Sequence, residues 1–191
     1  SLVRQSAEQC DETVVSIFVN PTQFGPQEDL DKYPRTLEQD ISLLKEAGAS
    51  AVFIPAVSEM YPDGFSTYVT PPQIATSLEG ICRPEHFRGV TTIVLKLFIA
   101  IPATDAFFGR KDYQQFKVIE AMSRDLNLGI NLHGCETVRE SDGLAMSSRN
   151  RYLSPADRLR ALSLSSALTM IDEAVVNGQR NVAMLCDAMR L

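Results

Sequence analysis

The sequence of 191 residues has no tryptophan, only two histidines and no long hydrophobic run. Because crossing a bilayer takes roughly 20 consecutive apolar residues, we predict no transmembrane helix and no membrane partner. A net charge of −6 argues against a nucleic-acid partner, since phosphate backbones attract proteins with positive surfaces. A composition that is 45% hydrophobic and 22% charged excludes disordered, collagen-like and disulfide-scaffold proteins.

Cysteine is also scarce, and its four positions lie far apart: Cys10, Cys82, Cys135 and Cys186. No C-x-x-C pair is formed, and His86 and His133 complete no structural zinc pattern. The spacing favours reduced cysteines and a cytoplasmic protein. A helical pattern follows Ser1 at once, so we expect the chain to be part of a longer protein.

What the sequence does contain is an alternation of apolar runs and helical spacings. Residues 14–19 and 51–54 are near-continuous apolar runs rich in β-branched side chains, which predict strands buried on both faces, as in a parallel sheet. Between them, Leu37, Ile41 and Leu44 recur at helical spacing, and Gly48 is placed to end that helix. This order predicts a βαβ unit with a right-handed crossover.

The same alternation continues to about residue 135. Residues 60–88 are loop-rich, with a short strand candidate at 67–70, and the apolar stretch 90–100 predicts a core helix. Short strands are predicted at 105–108 and 130–133. The helix between them has four residues on one side: Phe116, Ile119, Ser123 and Leu126. We therefore predict an α/β fold with a doubly wound parallel sheet.

The character of the sequence changes beyond residue 136. A polar loop is followed by Ser154, Pro155 and Asp157, which predict a helix start with an N-cap serine, a proline at the first turn and an acid at the capping-box position. A further helix is predicted near the end of the chain. We expect two domains, residues 1–136 and 137–191, with the second truncated.

Asn20 and Gln23 directly follow the first predicted strand. Ligands bind at the carboxyl ends of strands in open α/β sheets, and amides both donate and accept, which suits a ligand with hydroxyl and carboxylate groups. The alternative is a turn that Asn20 caps, and position alone does not separate the two.

A second polar segment begins at Gly109, where a predicted strand meets a helix. Helix N-termini attract anions, Lys111 adds a positive charge for phosphate, and Asp112 offers a carboxylate to ribose hydroxyls. Gln115, one turn on, is placed to meet Gln23 across a cleft. The alternative is that Asp112 is an N-terminal helix acid and Lys111 a solvated surface residue.

A third segment, residues 142–151, contains two hydroxyls followed by arginine, at Ser147, Ser148 and Arg149. This arrangement suits a clamp for a polyphosphate, or else a solvated interdomain linker. A fourth segment carries Arg83, His86 and Arg88, which suit a carboxylate or phosphate, although a lone histidine is more often structural.

Together these segments resemble the pantoate–β-alanine ligase family. The matching stretches run from near residue 14 to about residue 155: SIFVNPTQFGPQEDLDKYPRT, MYPDGFSTYV, LEGICRPEHFRGVTTIVLKL, FFGRKDYQQ and TVRESDGLAMSSRNRYLSP. The resemblance implies a Rossmann-like nucleotidyltransferase domain, in residues 1–136, that binds nucleotide and pantoate. It implies that residues 137–191 begin a smaller C-terminal domain with the phosphate-binding loop.

The implied reaction has two steps. ATP and pantoate give pantoyl adenylate and pyrophosphate, and the amine of β-alanine then displaces AMP to form the amide bond of pantothenate. The resemblance also implies Mg²⁺ with ATP and a cytoplasmic homodimer.

Residue roles follow from the resemblance alone. Gln23 and Gln115 match the two pantoate-binding glutamines, and Gln23 also matches a position near the β-alanine site. Val138 matches a backbone contact to adenine. The other ATP-binding positions are Gly109, Arg110, Lys111, Asp112, Met146, Ser147, Ser148 and Arg149. Of these, four are implied to stabilise charge on the phosphate oxygens during catalysis: Lys111, Ser147, Ser148 and Arg149.

One departure concerns a His-x-Gly-His-type signature, which the family carries just before the helix that opens this chain. It supplies the general-acid histidine, and here it would fall upstream of Ser1. We therefore expect the 191-residue chain by itself not to catalyse adenylation. The alternative function is a non-catalytic nucleotide- or pantoate-binding module that lacks the signature.

Overall fold

The structure of the protein, a computed structural model, describes residues 1–25 and 36–190. It divides into two compact units, Ser1–Glu136 and Thr137–Leu191. Residues 26–35, which belong to the first stretch of family resemblance, lie outside the described residues. Among the residues described, no helix has the length and apolarity to cross a membrane.

The first unit alternates helices and short strands. Its helices are α1 (Leu2–Gln9), α2 (Leu37–Glu46), α3 (Val57–Met60), α4 (Glu79–Cys82), α5 (His86–Ala100) and α6 (Tyr113–Asp125). Its strands are β1 (Val14–Ser16), β2 (Ala51–Phe53), β3 (Asp105–Gly109) and β4 (Asn131–Cys135). Single turns of 3-10 helix lie at Pro21–Gln23, Gln73–Thr76 and Arg110–Asp112.

The strands pair in parallel, which confirms the predicted α/β fold. Val14 of β1 is paired with Ala51 of β2, and Asp105 of β3 with Asn131 of β4. The pairs form two separate two-stranded ladders among the described residues. The predicted helix between β1 and β2 is confirmed, and Gly48 follows it with φ +94°, a conformation that glycine adopts without steric cost.

The prediction that the first two strands are buried on both faces is wrong. Val14 keeps 44% of its surface exposed, and Ile54, just after β2, keeps 45%. β1 has only three residues, and a groove of about 770 Å³ is lined by β1 and β3 together with α1 and α5. A strand run is buried only where other elements cover it, and this groove leaves one flank of β1 uncovered.

The strand candidate at residues 67–70 is also wrong. The N–H of Val69 donates to Thr92 Oγ1 over 3.0 Å, and Thr91 Oγ1 donates to the Val69 carbonyl over 2.9 Å. Two threonines of α5 therefore satisfy the backbone groups that a neighbouring strand would otherwise bind.

The core lies between α5 and α6, as the apolar pattern predicts. Its buried members are Ala75, Phe87, Val90, Val118, Ile119 and Met122. Phe116, Ile119 and Ser123 of the predicted stripe are buried, but Leu126 is 47% exposed. Leu126 is the C-cap of α6, so it stands where the helical repeat has ended.

The second unit contains a 3-10 segment at Ser148–Tyr152, then α7 (Pro155–Val176) and α8 (Val182–Met189). The predicted helix start is confirmed, because Ser154 Oγ accepts the N–H of Asp157 over 3.2 Å. The last predicted helix is confirmed as α8, which Asn181 caps.

Candidate functional site

Asn20, in the first predicted site, is a buried polar residue with 3% of its surface exposed. Its Oδ1 accepts from the Tyr61 hydroxyl over 2.7 Å and from Thr22 Oγ1 over 3.0 Å. Its Nδ2 donates to the Gly89 carbonyl and to Gln23 Oε1, each over 3.2 Å. This geometry favours the turn-cap interpretation, since the amide is fully engaged in protein contacts.

Tyr61 holds this cluster together although no local pattern points to it. Burial raises the pKa of Tyr61, and hydrogen bonds with Thr22 and Asn20 oppose that rise. The phenol is therefore neutral near pH 7, able to donate to Asn20. The two residues are separated by 41 positions, so only the fold reveals their contact.

Gln23 is held mainly through its backbone carbonyl, and of its side chain only Oε1 makes a hydrogen bond to the residues that the structure describes. Its carbonyl oxygen accepts from Arg83 Nη2 over 3.1 Å and lies 3.0 Å from His86 Nδ1. Two members of the fourth predicted segment thus hold the main chain of the first. Within the described residues, Gln23 Nε2 donates to no protein acceptor, which leaves it available to a ligand.

Of the two adjacent glutamines at the start of α6, one side chain is engaged in hydrogen bonds to the described part of the protein and the other is not. Gln114 Oε1 accepts the N–H of Glu79 over 3.1 Å, and its Nε2 donates to the carbonyls of Ile74 and Ser77 over 3.1 and 2.6 Å. Gln115 is half-buried and makes no side-chain hydrogen bond to any residue of 1–25 or 36–190. No bond joins Gln115 to Gln23 within those ranges, so their meeting across a cleft stays a prediction.

The predicted nucleotide-binding run, Gly109–Asp112, begins at the last residue of β3. Lys111 Nζ lies 3.4 Å from Asp112 Oδ1, with the side chains 42% and 63% exposed. Arg110 pairs with Glu136 over 2.7 Å, also at the surface. Exposed pairs contribute little to stability, so an entering phosphate would displace them at small cost. The arrangement is compatible both with a phosphate site and with a solvated helix start.

In the second unit, the predicted phosphate-binding segment, Met146–Arg149, has a defined shape. The carbonyl of Val138 accepts the N–H of Met146 over 2.9 Å, and Met146 exposes 57% of its surface. Ser147 caps the 3-10 segment, with its Oγ accepting the N–H of Arg149 over 3.3 Å. Ser148 opens that segment.

Two carboxylates beside this segment face one arginine of α7. Arg158 Nη2 lies 2.6 Å from Glu140 Oε2 and 2.6 Å from Asp142 Oδ2. Hydrogen bonds from Asn150 and then Arg158 lower the pKa of Glu140. Hydrogen bonds from Arg158 and then the N–H of Leu144 lower the pKa of Asp142. Both acids are therefore ionised at neutral pH.

His133 occupies a different place. Its Nε2 lies 2.7 Å from Asp105 Oδ1, and its ring stacks on Phe107 with centroids 4.6 Å apart. Hydrogen bonds from His133 and then Thr104 lower the pKa of Asp105. Asp105 begins β3 whereas Gly109 ends it, so this pair lies at the strand end opposite to the nucleotide-binding run.

Comparison with known proteins identifies the family. The model of the pantoate-β-alanine ligase family matches residues 1–190. The chain belongs to the pantoate-β-alanine ligase family. A pantothenate synthetase from Rhodopirellula baltica is 54% identical over 188 residues, which are 97% of this chain and 66% of that protein. One from Acetivibrio thermocellus is 54% identical over 179 residues, 94% of this chain and 64% of that protein.

Solved structures of the pantoate-β-alanine ligase family have the same fold as this chain. A crystal structure of pantothenate synthetase from Thermus thermophilus has a TM-score of 0.93 and 46% identity, covering 99% of this chain and 68% of that one. The ligase from Francisella tularensis, complexed with beta-gamma ATP and β-alanine, has a TM-score of 0.79 and 34% identity, covering 99% and 70%. The chain thus spans about two thirds of its relatives' length.

Sequence reasoning missed three residues that the structure brings into view: Tyr61, Gln114 and Arg158. Tyr61 and Arg158 lie inside or beside stretches that resemble the family, but nothing in their spacing distinguishes them. Gln114 precedes the predicted Gln115, and only its three contacts show that it has a structural role.

Proposed function

We propose that this protein serves the ATP-dependent condensation of pantoate with β-alanine, as an amide-forming ligase that passes through pantoyl adenylate. Family membership over residues 1–190 supports the reaction, and the Francisella relative, solved with beta-gamma ATP and β-alanine, supports two of the substrates. The homodimeric and cytoplasmic state that we propose rests on the family resemblance.

The observation that carries the proposal for pantoate is that two of four side-chain amides are fully engaged in hydrogen bonds with residues that the structure describes and two are not. Asn20 and Gln114 are fully engaged in protein contacts, whereas the Nε2 of Gln23 and the amide of Gln115 have no acceptor or donor within the described residues. Unengaged neutral amides suit pantoate, because they bind hydroxyl and carboxylate groups without forming a tight ion pair. In our proposal Gln23 also contacts β-alanine.

In the first step, the pantoate carboxylate attacks the α-phosphorus, the bond to the bridging oxygen breaks, and pyrophosphate leaves. Negative charge grows on the phosphate oxygens, and Lys111 supplies a mobile positive charge against it. Gly109, Arg110 and Asp112 complete this nucleotide-binding run, with Asp112 accepting from ribose. In the second step the β-alanine nitrogen attacks the acyl carbon, the acyl–oxygen bond to AMP breaks, and the amine loses a proton.

The second unit is proposed to bind ATP through Val138 and the segment Met146–Arg149. The Val138 carbonyl is already bound to the Met146 N–H, so an adenine contact would use another backbone group or the second lone pair. The hydroxyls of Ser147 and Ser148, with the Arg149 guanidinium, are suited to the phosphates.

Mg²⁺ is proposed to arrive on the nucleotide. The described residues contain no group of three or more His, Cys, Asp or Glu side chains able to hold a metal. Mg²⁺ often keeps its waters and binds substrate phosphates with one or two carboxylates, so this donor set fits an ion that ATP carries. When bound, it would screen charge on the phosphates.

Two measurements test the proposed function. The full-length protein should release pyrophosphate from ATP when pantoate is present, and phosphopantetheine should not replace pantoate. If neither compound supported pyrophosphate release, the ligase assignment would be refuted. Pantoate titration of the 191-residue chain should then show about tenfold weaker binding for Gln115→Ala, because a ligand hydrogen bond is lost.

Gln114→Ala is the matched control for that titration. It removes an amide of the same size from the same helix, but one that holds Glu79, Ile74 and Ser77. We expect it to lower stability more than Gln115→Ala does and to change pantoate affinity less. Equal pantoate affinities in the two variants would contradict the assignment of Gln115.

A further inference from the structure

We infer that Arg158 is a positioning residue for the phosphate-binding segment Met146–Arg149, an inference that rests on the function proposed for that segment. Arg158 lies on α7, beyond the stretch TVRESDGLAMSSRNRYLSP and outside the segment itself. It acts through two carboxylates and one amide.

The segment Met146–Arg149 follows directly from a short hairpin of the backbone. Arg139 and Ala145 form an antiparallel bridge, the Glu140 N–H donates to the Leu144 carbonyl over 2.8 Å, and the Met146 N–H donates to Val138. Glu140 and Asp142 therefore lie on the turn that immediately precedes Met146. Whatever holds these two carboxylates fixes where the segment begins.

Arg158 holds both of them with one guanidinium. Its Nη2 donates to Glu140 Oε2 over 2.6 Å, and its Nε donates to Asp142 Oδ2 over 2.8 Å. The planar fork of arginine makes such paired contacts possible, whereas a lysine ammonium acts as a single point charge.

The far end of the segment is tied to the same carboxylate. Asn150 Nδ2 donates to Glu140 Oε1 over 2.6 Å and to the Ala145 carbonyl over 3.0 Å. Glu140 thus receives Arg158 on one oxygen and Asn150 on the other. The residues Met146–Arg149 are consequently held at both ends through a single side chain.

Charge gives Arg158 a second effect on the same segment. Glu140 and Asp142 are both negative at neutral pH and stand only a few positions before the serines proposed to meet phosphate. Unpaired, they would repel a polyphosphate. Arg158 compensates one of these two charges and directs both carboxylates toward α7.

The test compares Arg158→Met with Arg160→Met in the 191-residue chain. Arg160 lies on the same helix, but its pair with Asp157 is 3.3 Å long and its side chain is 82% exposed. Amide hydrogen exchange at Met146 should quicken about tenfold in Arg158→Met, since charge-assisted hydrogen bonds are lost, and stay unchanged in Arg160→Met. Equal exchange in the two variants would overturn the inference.

ATP affinity, measured by calorimetry, distinguishes positioning from mere anchoring. We expect about tenfold weaker ATP binding for Arg158→Met and only partial recovery for Arg158→Lys, which offers no fork. Faster exchange with unchanged ATP affinity would overturn the positioning role. If the parent chain binds no ATP, the function proposed for the segment fails, while the exchange comparison still decides whether Arg158 orders it.

Discussion

Neutral hydrogen bonds in a buried setting hold the residues around Asn20 in the first unit, whereas ion pairs nearer the surface hold the segment around Glu140 in the second. Asn20 is 3% exposed and its partners are hydroxyls, an amide and a carbonyl. The side chains of Arg158 and Glu140 remain 32% and 31% exposed. Both arrangements fix a short segment next to proposed substrate-binding residues, but by different forces.

The difference sets what each segment responds to. A buried neutral network is costly to interrupt, because a polar group left without a partner loses its hydration as well, and it does not respond to acid. Partly exposed ion pairs are weaker, screened by salt, and dependent on the ionisation of their acids. The network around Asn20 should thus be sensitive to shape, and the segment around Glu140 to solution conditions.

The largest expected effect comes from Gly89→Ala in the first unit. A Cβ at Gly89 would stand 2.5 Å from the backbone oxygen of Thr22, so α5 or the turn after β1 would have to move. We expect urea denaturation to show a loss of about 1–3 kcal/mol in the free energy of unfolding.

The control is Gly129→Ala, where no atom of the described residues, apart from Gly129 and its two neighbours in the chain, stands within 4 Å of the new Cβ. That substitution should change the free energy of unfolding by less than about 0.5 kcal/mol. If both variants lost the same stability, the close packing of α5 on the Pro21–Gln23 turn would not be what holds this region.

A smaller effect is expected for Tyr61→Phe, which removes the hydroxyl that donates to Asn20 over 2.7 Å. Losing one donor to a buried amide oxygen should cost about 1 kcal/mol of unfolding free energy, and pantoate binding should weaken as Gln23 loses its fixed neighbour. Thermal denaturation and pantoate titration measure the two effects. Tyr68→Phe keeps the ring that lies under the Arg88 guanidinium and should change neither. If the two variants had the same stability and the same pantoate affinity, the Tyr61 hydroxyl would not contribute to the hydrogen-bond network around Asn20.

The smallest effect at neutral pH, and a growing one in acid, is expected at the second-unit segment. Because the pKa values of Glu140 and Asp142 are lowered in the fold, their stabilising contribution is present above the ordinary carboxyl range and is lost as pH falls through the lowered values. Hydrogen exchange at Met146, relative to its intrinsic rate, should lose protection below about pH 4.

The Asn20 side-chain amide is the internal reference for that experiment. Its partners do not titrate in acid, since the pKa of Tyr61 is raised from an already basic value. Asp105 in the same unit does have a lowered pKa, so the comparison is made at Asn20 and not on overall stability. Parallel loss of protection at Asn20 and Met146 would contradict the contrast between the two networks.

Local pattern predicted the order of elements well. Ser154, Pro155 and Asp157 specify a helix start through bonds that span three residues, and Gly48 specifies a helix end through its own backbone freedom. Local pattern failed where burial depends on which other elements pack against a strand. An apolar run at residues 14–19 predicts burial, yet whether other elements cover β1 is not written in the run itself.

The sequence by itself determined the family, the parallel α/β fold and the capping of the helices, because these depend on neighbouring residues or on stretches of matching letters. Only the tertiary structure decided which of two similar amides is engaged. Asn20 and Gln114 are held by partners as far as 69 and 40 positions away, while no residue that the structure describes holds the Nε2 of Gln23 or the amide of Gln115. The tertiary structure likewise decided that Arg158 serves the segment before it. Hydrogen bonds are short and directional, so they form only between groups that folding brings within about 3 Å.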